Sequence, residues 1–475
     1  MKNYKKIPLL MVFTVLLLSI LAIPKFVSAQ TIDLNGGIKN EYTYEEYVFI
    51  SGKPIKVTGT SKNATVTVKE SKGKLTETYK FTLTGSNGEK LTRNFTYVSE
   101  VTNYDQIGQS TATGEVTKFT EKFVVGNSTY TLSDYQLSKS AITDKRPASD
   151  YYSGNAIARK TYTVGKAPNI QTVLVNVDSR HEGYENFWGA TETQITDYEI
   201  VFNNGEIGTV KNRVSTTKSR TLNYEENGSS LSSFNGGYAV ISSADTISEY
   251  TYGLPAASGT VDLDIEYMPR IERLILPKFR DLSSNWAKES IEKLYSLGIL
   301  DDQSNFFSPN TPMQRYDFAV AVGKAIDLRV LEEKTKKKTT SVFKDVKSTT
   351  KDYNYLKSAV DKGVIKGVTS TTFEPEGFLT RQQAATILVR ALGLEGKAPD
   401  PGYKTIYKDD YKITDYARDS IYVITELGLM SGSNGKFNPK DKLTRAQASA
   451  IMIRFLEYLE TDLKQNFRDD ILFFD

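Results

Sequence analysis

Three arginines recur at one place in a repeated pattern. Arg315, Arg381 and Arg445 each stand six residues beyond the proline of a Phe-x-Pro element, namely Phe307–Pro309, Phe373–Pro375 and Phe437–Pro439. Around the second and third, Thr380–Gln383 and Thr444–Gln447 read as capping boxes, the threonine oxygen serving a free backbone amide while the glutamine reaches back. Arginine then falls at the first helical position. A guanidinium there, beside unpaired first-turn amides and the positive end of the helix dipole, suits a carboxylate or phosphate ligand. The competing use is a solvated cation or an ion pair between adjacent units.

Other side chains repeat in step with a period of 64 residues. Phe279, Phe343 and Tyr407 open each unit and are followed by Asp281, Asp345 and Asp409, which could accept hydroxyl hydrogen bonds or cap a local turn. Trp286, Tyr355 and Tyr416 precede Ile291, Val360 and Ile421, and can be ligand-stacking faces or core aromatics. Histidine and thiol chemistry have little room. The chain has one histidine, His181, and no cysteine, so metal sites and nucleophiles built on those residues would depend on a single imidazole. No phosphate cradle, calcium loop or zinc pattern points to a cofactor or metal.

The elements that must position these residues are two amphipathic helices per unit, about 286–297 and 314–326 in the first. Gly298, Gly363 and Gly428 stand where a first helix should end in a left-handed conformation. The prolines stiffen the approach to the second helix.

These residues resemble the S-layer homology (SLH) family, whose units run Phe-x-Asp-Val, Trp-Ala, Gly-Ile, Phe-x-Pro and Thr-Arg-Ala-Glu. Three units are expected, over residues 277–328, 343–394 and 407–460, with a tail over 461–475. The resemblance implies an all-α pseudo-threefold assembly that binds pyruvylated secondary cell wall polysaccharide on peptidoglycan and anchors an exported protein without a covalent bond. It makes Arg315, Arg381 and Arg445 the expected grips for a ketal carboxylate or sugar hydroxyl, Trp286 a stacking face, and Asp281, Asp345 and Asp409 hydroxyl acceptors. The first unit departs most, with Met313–Asp317 where the family has Ile-Thr-Arg-Ala-Glu, and Asp302 where the others have Gly367 and Gly432. Gln383 and Gln447 replace the family glutamate, a change that capping tolerates. The echo at Phe467–Asp469 is expected to be a remnant opening segment.

Residues 30–276 have another texture. Short alternating runs such as Ala64–Lys69 and Thr78–Leu83, rich in Thr, Tyr and Val, are separated by turn clusters at Gly85–Gly88, Asn203–Gly205 and Asn235–Gly237. A mainly antiparallel β region is expected. Its most distinctive stretch is Ser179–Gly189, read as a sheet with Phe187 and Trp188 partly in the core, Glu182, Glu185, Glu192 and Asp197 solvated on a loop, and His181 a surface loop residue. Asp144–Tyr152 reads as a polar loop.

Residues 1–29 read as an export signal: Lys2, Lys5 and Lys6, an apolar stretch from Ile7, and Val27–Ala29 before Gln30. Its removal takes Lys25 as well and no acid, leaving a nearly neutral chain without generic support for nucleic-acid or anionic-membrane binding. No later apolar run spans a bilayer. The expected product is a wall-anchored surface protein displaying a β region. The alternative is an anchored wall or polysaccharide hydrolase, which needs two carboxylates at the right separation beside Trp188.

Overall fold

The computed structural model describes residues 34–165, 168–225, 236–301, 304–328, 341–399 and 402–462. The export signal, Asp302, the stretch between the first two units over 332–340 and the echo at 467–469 lie outside the described residues.

Among the described residues, fifteen strands form one antiparallel sheet. They are β1 (Ile38–Lys39), β2 (Thr43–Val48), β3 (Ile55–Thr60), β4 (Ala64–Ser71), β5 (Lys74–Gly85), β6 (Lys90–Tyr104), β7 (Gln109–Val125) and β8 (Ser128–Lys145). There follow β9 (Ser149–Val164), β10 (Gln171–Asn186), β11 (Gly189–Val201), β12 (Ile207–Glu225), β13 (Gly237–Leu254), β14 (Ala257–Glu266) and β15 (Arg270–Arg273). Each strand pairs with its neighbour in the chain, except that β3 skips β4 to pair with β5, which β4 also flanks, and β15 joins β13 and not β14. The sheet curls into a nearly closed barrel. Asn40 donates to the Glu266 carbonyl at 2.9 Å, and the Tyr267 hydroxyl donates to that of Lys39, so the first and last strands meet.

Period-two alternation fixes which side chains face the lumen. Leu91, Arg93, Phe95, Tyr97 and Ser99 of β6 are buried, while the residues between them turn outward. Arg93 lies in the lumen between Glu46, at 2.7 and 2.9 Å, and Glu121, whose other oxygen accepts from Tyr162 at 2.5 Å. Lys139 pairs with Glu77. Buried charges persist here because each has a charged or hydrogen-bonding partner. The segment 34–37 threads into the same lumen, where Gly36 accepts from Tyr250 and Ser248, each at 2.7 Å.

Three expectations for this half are corrected. His181 is no loop residue: it lies in β10, is 2 % exposed, and faces Gly154, where a Cβ would come within 2.4 Å of the imidazole. Burial pushes its pKa down to about 4, with Lys139 acting the same way. The acids are not on a loop either. Glu182 and Glu185 belong to β10, Glu192 and Asp197 to β11, and Glu192 accepts from the Tyr152 hydroxyl at 2.8 Å. Residues 144–152 form a hairpin between β8 and β9, with Tyr151 and Tyr152 buried. A run of polar residues and tyrosines looks like a loop until both faces of its strand find partners.

Six α-helices follow among the described residues: α1 (Lys288–Ser296), α2 (Arg315–Ala325), α3 (Tyr353–Asp361), α4 (Arg381–Leu392), α5 (Asp415–Glu426) and α6 (Arg445–Glu457). The first helix of each unit ends at Gly298, Gly363 or Gly428, with φ of 69°, 75° and 68°. Beyond each, an amide turns back to the helix, as Ile299 does to Leu294 at 2.9 Å, the Schellman closure. The second helices, α2, α4 and α6, are buried on nearly every side and form the centre. Each packs on the first helix of the next unit, α2 on α3 and α4 on α5, and α6 closes the ring on α1. A cycle of backbone bonds joins the three units: Met313 donates to Leu443 at 2.8 Å, Leu443 to Leu379 at 2.9 Å, and Leu379 to Met313 at 2.9 Å.

Barrel and helices share one hydrophobic cluster, in which Ala148, Tyr151, Tyr184 and Trp188 pack with helical residues. Trp188 is therefore buried in this junction and not within the sheet. Its indole donates to the Ala325 carbonyl at 2.8 Å, the Ala148 amide to Ala391 at 2.9 Å, and the Asn186 amide group to Leu459 at 3.0 Å. One barrel rim thus caps carbonyls near the C-terminal ends of all three central helices, where unpaired acceptors need donors.

Candidate functional site

Each Phe-x-Pro element is held by the aspartate of its own unit. Asp281 accepts from the amides of Phe307 and Ser308 at 2.9 and 2.7 Å, and Asp409 from those of Phe437 and Asn438 at 2.8 and 2.9 Å. Asp345 does the same for Phe373 and Glu374, the latter at 2.7 Å. The middle residue of each element needs this help. Ser308, Glu374 and Asn438 sit at φ of 57°, 59° and 55°, the left-handed region that side chains disfavour. Burial pushes the Asp281 and Asp345 carboxyls up, but the two backbone donors outweigh it and hold both below the ordinary value. The carboxylates thus cap a turn more than two dozen residues on, not a local one.

The arginines then join one unit to the next. Arg315 donates through Nε to the Phe373 carbonyl at 3.1 Å, Arg381 to Phe437 at 2.7 Å, and Arg445 to Phe307 at 3.0 Å. Each guanidinium also lies over the ring of that phenylalanine, at 5.0, 4.8 and 4.5 Å from its centroid. Arg381 adds a bond from Nη2 to the Ser431 carbonyl at 2.7 Å. Arg315 is the most enclosed, at 8 % exposure, and burial lowers its pKa while Glu374 and Tyr416 pull it back.

The unpaired helix-mouth amides expected from sequence are not there. The Arg315, Arg381 and Arg445 amides donate to Gly377, Asp441 and Thr311, and the following amides to Pro375, Pro439 and Pro309. Those acceptors come from the next unit around the ring, so only the assembled ring shows that the helix starts are filled. Gln383 and Gln447 accept from the Thr380 and Thr444 amides at 3.0 Å, and the Thr444 hydroxyl completes its capping box by accepting from the Gln447 amide at 3.2 Å, whereas the Thr380 hydroxyl makes no such bond. In the first unit no side chain caps α2, and Asp317 lies 3.9 Å from the Arg445 guanidinium.

Exposed aromatic rings flank these junctions. Trp286 is 67 % and Tyr416 is 51 % exposed. Tyr416 stands at the start of α5, within electrostatic reach of Arg315, and hydrogen-bonds Gln382. Trp286 stands as far before Gly298 as Tyr416 does before Gly428, so the threefold relation gives it the same station relative to Arg381, whereas Tyr355 lies a helical turn further on, inside α3, and Lys351 takes that place in the second unit. Tyr355 is half-buried against Gly323, with Lys324 above its ring at 5.9 Å. Two of the three junctions, those of Arg315 and Arg381, thus offer a hydrogen-bonding cation and an aromatic face from different units. The docking set Ala148, Asn186 and Trp188 was not visible in sequence as such, because one contact is a backbone amide and the others depend on where the rim lands.

The S-layer homology domain family matches residues 278–319, 342–385 and 406–449. Similar proteins include an amylopullulanase of Thermoanaerobacterium thermosulfurigenes, 31% identical over 44% of this chain and 11% of its own length. An endoglucanase of Bacillus sp. (strain KSM-635) is 38% identical over 26% of this chain and 12% of its own. The surface-layer 125 kDa protein of Lysinibacillus sphaericus is 29% identical over 38% and 15%. The chain thus aligns with less than a fifth of the length of these relatives, and the hydrolases match it only in the helical region. No helix among the described residues is long and apolar enough to cross a membrane. With three family matches set on three interlocked helical units, the helical half of the chain is built of three S-layer homology domains, and the protein is one of the cell surface.

Proposed function

We propose that the helical trimer retains the protein on the cell wall by binding pyruvylated secondary cell wall polysaccharide at its inter-unit junctions, and that the barrel is the part displayed. The observation that carries this reading is the threefold recurrence of a guanidinium clamped between units, with an exposed aromatic ring at the station beside two of them. Arg315, Arg381 and Arg445 supply the cationic edge, Trp286 the stacking face, while Asp281, Asp345 and Asp409 hold the turns that shape each junction and leave less of their acceptor capacity for sugar hydroxyls. Several weak contacts on one rigid body sum to durable retention along a polymer. A hydrolase reading gains nothing from Trp188, which is buried against α2.

The test is co-sedimentation of the mature full-length chain with purified walls before and after chemical removal of the secondary polymer. Sedimentation with native walls and its loss on stripped walls is the expected result. Retention on stripped peptidoglycan overturns the assignment.

A further inference from the structure

The outer face of the barrel carries a concavity of about 590 Å³ over β4 to β7, lined by none of the residues that form the helical junctions. Two rows of outward side chains floor it. Thr65, Lys80, Asn94 and Thr120 lie side by side across four strands, and Thr82, Thr92 and Lys122 form the next row. Lys62 and Asn63, at the corner between β3 and β4, complete the lining. Four adjacent strands span about 14 Å, the length of a few sugar residues.

The charge in this hollow is of one sign. Lys62, Lys80 and Lys122 are exposed, and among the described residues none of them is in an ion pair. The single acid in the lining, Glu121, turns its carboxylate into the lumen onto Arg93 and Tyr162. Its single aromatic, Phe81, also faces inward and is 2 % exposed. Without a stacking face the hollow suits neither nucleobases nor neutral sugars that bind by aromatic stacking. Three ammonium groups among threonine hydroxyls and asparagine amides suit a chain bearing both anions and hydroxyls.

We propose that this concavity is a second carbohydrate site, separate from the helical junctions, for an acidic glycan whose carboxylate or phosphate groups pair with Lys62, Lys80 and Lys122. It would set the displayed barrel against an anionic polymer while the helices hold another.

The probes are carboxymethyl-dextran, phosphorylated dextran and plain dextran, titrated into the mature full-length chain at low and high salt. The wild type is expected to bind one or both charged dextrans, and added salt to weaken binding as exposed charges are screened. Preference between the two names the anion. Lys62→Gln, Lys80→Gln and Lys122→Gln combined should weaken that binding about tenfold or more, whereas Lys211→Gln, on β12, should not. Wall retention of the triple variant should stay normal, which separates this site from the anchor. Equal binding of plain dextran, no binding of either charged dextran, or unchanged affinity in a triple variant with native circular dichroism overturns the proposal.

Discussion

Arg381 donates from Nε to the carbonyl of Phe437 at 2.7 Å while its guanidinium lies 4.8 Å from the centroid of that same residue's ring. One side chain thereby grips both the backbone and the face of the next unit. The arrangement repeats from Arg315 to Phe373 and from Arg445 back to Phe307, so the three units lock head to tail.

Arg381→Ala removes two charge-assisted bonds and should cost about 2–4 kcal/mol. Arg381→Lys should recover little, since an ammonium lacks the planar fork. Thermal unfolding measures both. Combining Arg381→Ala with Arg445→Ala should lower wall retention further than either alone, and normal retention by the double variant would remove these arginines from the binding reading.

Trp286→Ala separates binding from folding. The ring is largely exposed, so its loss should shift stability by no more than about 0.5 kcal/mol, while the wall-bound fraction falls. Unchanged sedimentation would show that the ring stacks on nothing.

Inside the barrel, Arg93→Met leaves Glu46 and Glu121 facing each other without their cation. A destabilisation of about 3–5 kcal/mol is expected in urea unfolding. A variant as stable as wild type would mean that the carboxylates protonate or hydrate without cost.

Trp188→Ala deletes the indole that joins the barrel rim to α2. The loss should be about 3–5 kcal/mol, and calorimetry should show barrel and helices unfolding separately. A single unshifted transition would contradict the coupling.

Two acids near this junction give a pH dependence. Burial raises the Asp150 carboxyl to about 6, with Lys145 opposing and Glu185 adding, and raises Glu460 to about 7, with Glu457 adding. Their folded-state values lie above the unfolded ones, so folding takes up protons. These two acids therefore lower stability as pH rises from about 4 through 7, while His181, held neutral by burial down to about 4, raises it between about 4 and its ordinary value of 6.5. Asp281 and Asp345, held low, act in the opposite sense only at more acid pH. Asp150→Asn with Glu460→Gln should flatten the decline and raise stability at pH 8 by about 1–2 kcal/mol after solvent screening. An unaltered slope in the double variant would assign the dependence elsewhere.

What the chain order alone determined is local. The recurrence of Phe-x-Pro, the glycines at Gly298, Gly363 and Gly428 and the threonine-glutamine boxes specify helices, their ends and their number, because capping and left-handed turns involve residues a few positions apart. Alternation likewise marked an antiparallel β half. Only the tertiary structure decided what those elements meet. Pro375 and Gly377 fill the amides at the start of α2, Asp281 reaches a turn in the later part of its unit, His181 is sealed behind Gly154, and Trp188 finds a helix end. Partners that are distant in sequence leave no periodic trace, and burial and hydrogen-bond completion depend on the closed ring and barrel that bring them together.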